Sequence, residues 1–104
     1  MKAIKIMPDY ECHPLWHYRS DNVGEINPET LPISSKLKSM LLTWATEYDS
    51  TLNQDNPVES GFANKEIKEA FVAKGLEIAN ILKNELKIIE VIYYDINQER
   101  ERII

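Results

Sequence analysis

The stretch Ile88-Ile89-Glu90-Val91-Ile92-Tyr93-Tyr94-Asp95-Ile96 constrains this chain most. It is rich in β-branched and aromatic residues, which suit a pleated, packed surface. Its apolar side chains fall on both faces, so it belongs inside a sheet and needs neighbours on both edges. One neighbour is visible at the other end of the chain. Lys2-Ala3-Ile4-Lys5-Ile6-Met7 alternates, with Ile4 and Ile6 on one face and Lys5 on the other, and Pro8 ends it. That is the period of a half-buried strand. Leu15 to Arg19 reads as a second short strand. Ser20 to Pro32 carries Gly24, Pro28 and Pro32 and reads as a connecting loop, with a turn at Asn27-Pro28-Glu29.

Two helical patterns lie between these strands. Ser34 or Ser35 can cap the first, whose apolar stripe is Leu37, Leu41, Trp44, Tyr48 and Leu52. Asn64 can cap the second, with Glu66 and Glu69 near its positive end and Lys83 and Lys87 near its negative end. Its stripe is Ile67, Ala70, Phe71, Ile78, Leu82 and Leu86. Gly75 interrupts it at a cost of about 1 kcal/mol relative to alanine. Because Gly75 shares a face with Phe71 and Ala79, close approach of another element explains it better than a functional role. Asn97 to Ile104 is charged and is expected to fray. The order predicts an α+β fold: a small antiparallel or mixed sheet of two to three strands, with two long helices packed on one face. With 104 residues, the chain is expected to form a single domain over 1–104.

Charge narrows the function classes. Seventeen acidic against twelve basic residues give a net charge of −5, which disfavours direct binding to nucleic acid or anionic membrane. The excess is local: residues 21–63 carry seven acids against Lys36 and Lys38, while the segments on either side are close to neutral. From Ser39 to Asn64 there is no lysine or arginine, and Glu47, Asp49, Asp55 and Glu59 fall in that interval. Such a field attracts a basic partner, although short acidic stretches also serve solubility alone. No apolar run approaches a membrane span, and no leader-like apolar stretch follows the first lysines. A lone cysteine, Cys12, has no internal disulfide partner, so a reduced, cytoplasmic protein is expected.

The chemistry-bearing residues are few. Cys12, His13 and His17, with Asp9 and Glu11 nearby, form the one cluster that invites a metal or nucleophile reading. Zinc sites usually combine separated ligand pairs, and no second pair exists here. A nucleophilic thiol needs an electropositive setting, whereas the acids around Cys12 raise its pKa. A buried, inert Cys12 fits better. Gly24, Gly61 and Gly75 are too scattered for a phosphate loop. Trp44 lies on a core stripe. Trp16 sits in an aromatic-dense segment with Tyr10 and Tyr18, either as an interface anchor or in a small aromatic core.

Pro8-Asp9-Tyr10, Cys12 and Pro14-Leu15-Trp16 follow directly on the first strand. Leu31-Pro32-Ile33-Ser34, Trp44, Tyr48-Asp49, Leu52-Asn53, Pro57 and Ser60-Gly61-Phe62 come after them. Together these residues resemble a family of small bacterial proteins, over nearly the whole chain. That family is similar to immunity proteins encoded beside polymorphic or contact-dependent growth-inhibition toxins. The resemblance implies a non-enzymatic cytoplasmic inhibitor that binds a cognate toxin domain, often a nuclease. It implies no catalytic residues and no cofactor. On this reading Glu47, Asp49, Asp55 and Glu59 steer the toxin and Trp16 can anchor it. The free protein is expected to be a monomer or a weak oligomer. The alternative is a small cytosolic enzyme or metal-binding protein using Cys12, His13 and His17.

Overall fold

In a computed structural model, which describes residues 2–56 and 60–104, five strands and two long helices form the fold. The strands are β1 (Ala3–Ile6), β2 (Leu15–His17), β3 (Glu25–Ile26), β4 (Glu90–Asp95) and β5 (Arg100–Ile103). The helices are α1 (Ser35–Asp49) and α2 (Lys65–Glu85), with a short 3-10 helix at Pro28–Thr30. The sheet order is β3-β2-β1-β4-β5. β1 and β4 run parallel, with Ile4 opposite Val91 and Ile6 opposite Tyr93, while the other pairs are antiparallel. The mixed α+β class was legible in the sequence; the strand count was not. Five strands are present where two or three were expected.

Both additional strands are short edges. β3 has two residues inside the stretch expected to be a loop, and pairs Leu15 with Ile26. β5 replaces the expected frayed tail. Its residues are all exposed, and it pairs along β4 from Asp95–Arg100 to Ile92–Ile103. The turn between them is fixed by buried Asp95, whose Oδ1 accepts from the Asn97 and Gln98 amides at 2.8 and 3.0 Å. Charged residues mark an edge strand here, because only its one paired side is shielded from water.

The helices start at the expected caps. Ser34 Oγ accepts from Leu37 N, and Asn64 Oδ1 accepts from Ile67 N. Ser34 is held further by Glu85 at the far end of α2, which accepts from both its amide and its hydroxyl. Leu37, Leu41 and Trp44 are buried on α1, and Phe71, Gly75, Ile78, Ala79 and Leu82 on α2. Leu52 lies beyond α1, which ends at Asp49. Ile67 and Ala70 are exposed, contrary to expectation. Ile67 lies in the first turn of α2, and Ala70 lies about 100° round the helix from Phe71, where the buried face begins. Ile88, expected in the strand, is 97% exposed in the turn before β4.

Alternation along the strands divides the sheet. Ile4, Ile6, Leu15, Val91 and Tyr93 share the core cluster with the helix stripes. Tyr93 Oη donates to Val72 O, and Trp44 Nε1 donates to Phe71 O, so both large rings are pinned to the α2 backbone. They close on Gly75, where a Cβ would collide with Trp44 Cζ2 and Tyr93 Oη. The glycine is therefore a packing requirement.

The opposite face carries no helix. There Tyr18 reaches from the end of β2 to β5, donating to Glu101 at 2.6 Å, with the Arg19 guanidinium stacked over its ring. Lys5–Glu101 and Arg19–Glu90 pairs complete that cover. It shields Ile92, which is only 1% exposed.

Candidate functional site

The segment between β1 and β2 is held by carboxylates from other elements. Asp49, at the end of α1, accepts from Glu11 N at 2.9 Å. Glu25 on β3 accepts from His13 N at 3.2 Å and from the Cys12 thiol. These bonds hold the Glu25 carboxyl below its ordinary range, the His13 amide contributing most. The Cys12 thiol is pushed up to about 11, first by burial, then by its bond to Glu25 and the charges of Glu25, Asp9 and Asp49. A thiol held so high is protonated and a poor nucleophile at neutral pH. Tyr10 closes the segment from below, stacking on Tyr48 at 4.6 Å and sharing a hydrogen bond with Thr51.

The residues singled out from the sequence occupy separate places. Glu47 is exposed on the side of α1 toward Lys74 of α2. Asp49, one side of the helix away, joins the Cys12 segment. Asp55 is exposed in the following loop, and Glu59 lies outside the described residues, as does Pro57 of the family-like pattern. Trp16 is half-buried. It alternates with fully buried Leu15, which places it on the sheet face without helices, and its Nε1 donates to Met7 O. The sheet thus separates Trp16 from the acids of α1. What the sequence pattern missed is the gathering of Asp9, Glu11 and Glu25 near Asp49. Asp9 and Glu11 were visible beside Cys12, but Glu25 arrives only through the β2–β3 pairing.

Cys12, His13 and His17 do not converge. His17 points into the helix-side face of β2, where its buried Nδ1 has no hydrogen-bond partner. His13 lies before the strand and is exposed. Among the described residues, no three His, Cys, Asp or Glu side chains come together as a metal ion would require. Nor is any helix among them long and apolar enough to cross a membrane.

A groove lies along α1 from Ser35 to Ala45. It is lined by Pro14, Pro28, Lys38, Ser39, Leu42 and Ala45, among others, and encloses about 550 Å³.

No curated protein matched the chain in a sequence search. A family model described as Serratia CdiI immunity protein-like matches residues 2–96, from β1 through the end of β4. That span takes in the whole helix-side core and the acidic segment around Cys12, and on it the chain belongs to the Serratia CdiI immunity protein-like family.

Proposed function

We propose that this protein binds and neutralises a cognate bacterial toxin domain in the cytoplasm of the cell that makes the toxin, that the domain is basic and of nuclease type, and that no catalysis is involved. Membership of the immunity family carries the reading. The distribution of charge supports it. The ion pairs described here lie on the sheet face without helices, between Lys38 and Glu29, and along α2. Among the described residues, Asp9, Glu11, Glu25, Glu47, Asp49 and Asp55 pair with no lysine or arginine. Uncompensated carboxylates speed the approach of a cationic surface and favour it over neutral competitors.

Glu47, Asp49, Asp55 and Glu59 supply the steering. Trp16 contacts the toxin only if the partner reaches round the sheet. The free protein is a monomer or weak oligomer. Antiparallel self-pairing of the β5 edge centred on Glu101 would place Arg100 against Arg102 of the second copy, and like charges directly opposite are destabilising.

The test uses the toxin domain encoded by the neighbouring gene. Wild-type protein should form a complex with it and protect cells that express it. Association should slow as salt rises, because exposed charges are screened beyond about 8 Å at physiological ionic strength. Reversing Glu47, Asp49, Asp55 and Glu59 together should slow association and flatten that salt dependence. Unchanged binding by this variant refutes the steering assignment. A wild-type protein that neither binds nor protects refutes the function.

A further inference from the structure

We propose that the groove between α1 and the 3-10 helix is where the toxin is gripped, and that it takes an apolar side chain flanked by a lysine or arginine. The proposal rests on the toxin-binding reading above and confines it to one surface.

The α1 helix explains the groove. Its buried stripe is Leu37, Leu41 and Trp44, and Leu42 lies one position off that stripe, turned away from the core and 68% exposed. A singly exposed leucine is ordinary. This one is set in a concave floor with Ala45, between Pro14 and Pro28. The proline backbones are stiff, so the walls are largely formed before anything binds. A preformed apolar hollow of this kind receives an anchor side chain at little ordering cost.

Charge fixes the direction of the occupant. Lys38, at one end of the groove, is already held by Glu29 at 3.5 Å. Lys38, Leu42, Ala45 and Asp49 follow at spacings of four, three and four, so they form one line along the helix. One turn beyond Ala45, just outside the lining, Asp49 accepts from the Glu11 amide, and Glu25 accepts from the amide of His13, which lines the groove. The groove therefore runs from a neutralised pair over apolar floor, and carboxylates without a lysine or arginine partner adjoin its far end. A partner segment with a hydrophobic side chain followed by a basic one matches that sequence of surfaces. A segment carrying acidic residues does not.

The probe is the purified toxin domain encoded by the neighbouring gene. Leu42→Asp should weaken its binding at least tenfold, the effect of losing a central anchor, while Ile88→Asp, an equal charge change on a residue 97% exposed elsewhere, should not. Asp49→Asn and Glu25→Gln keep a carbonyl acceptor for the Glu11 and His13 amides, so any slowing of association reports lost charge. In the unaltered protein, amide shifts on adding toxin should centre on Ser39, Leu42 and Ala45. If wild type binds but Leu42→Asp binds equally well, or the shifts lie only on other faces, the groove assignment falls and toxin binding stands. If wild type itself does not bind, the toxin-binding reading falls and takes the groove with it. If Leu42→Asp changes the sedimentation of the free protein, a second copy fills the groove and the proposal is overturned.

Discussion

Gly75→Ala offers a test in which two physical effects have opposite signs. Gly75 sits in the interior of α2, where helix propensity alone favours alanine by about 1 kcal/mol. The structure opposes that gain. An added Cβ would collide with Trp44 Cζ2 and Tyr93 Oη, and would stand 2.9 Å from Tyr93 Cε1. Neither ring is free to retreat. Trp44 Nε1 is bonded to Phe71 O at 3.0 Å, Tyr93 Oη to Val72 O at 2.8 Å, and Trp44 also stacks on Phe71 with centroids 4.6 Å apart. Overpacking of such a site costs about 1–3 kcal/mol. Losing one of the two hydrogen bonds adds about 1 kcal/mol. After the propensity gain, a net destabilisation of about 2 kcal/mol remains, which in a chain of this size lowers the melting midpoint by roughly 10 °C. Urea unfolding followed by tryptophan fluorescence measures it. Removing the hydroxyl with Tyr93→Phe should reduce the penalty of Gly75→Ala by on the order of 1 kcal/mol in a double-mutant cycle. A Gly75→Ala variant as stable as the parent, or more so, would refute the aromatic clamp.

Two further outcomes follow from the titratable groups. Cys12, at about 11, should react with iodoacetamide at pH 8 about two orders of magnitude more slowly than a free cysteine; an ordinary rate in the folded protein would contradict the burial and acidic surroundings of the thiol. Tyr48 is pushed up to about 12, chiefly by burial and then by Tyr10 and Asp9, and burial raises buried Tyr93 as well. Raised phenols stay protonated in the fold after the unfolded chain has begun to ionise. Their stabilising contribution is therefore present below pH 10 and lost as pH climbs toward 12. Ultraviolet titration of the folded protein should leave the Tyr48 and Tyr93 phenols protonated past pH 10, and their ionisation near pH 10 in the folded state would contradict the packing.

What the sequence revealed was what depends on neighbours along the chain. The caps Ser34 and Asn64 act within three residues of themselves, and the stripe Leu37, Leu41, Trp44 needs only helical period. The packing role of Gly75 was legible because Phe71 and Ala79 lie one turn to either side. β5 was not, since Arg100-Glu101-Arg102 carries no apolar alternation. Its order comes from backbone bonds to β4 and from Asp95 tying the turn. Ala70, next to Phe71, lies about 100° round the helix from the buried stripe, and Ile67 lies in the first turn; both are exposed. Acidity of the middle third was plain, yet the grouping around Cys12 draws on Asp9, Glu11 and Glu25 from outside the cation-free interval. Strand pairing, which no local pattern encodes, brings Glu25 to the other two.

The central position of β1 has a consequence for how the molecule is born. Ile4 and Ile6 lie parallel to Val91 and Tyr93, which stand 87 residues further along the chain. The nascent chain can form its helices early, but the middle of the sheet must wait for a strand that has not yet been synthesised. Loops of that length close slowly. The ribosome must therefore have made β4 before the protein can present a finished surface to anything.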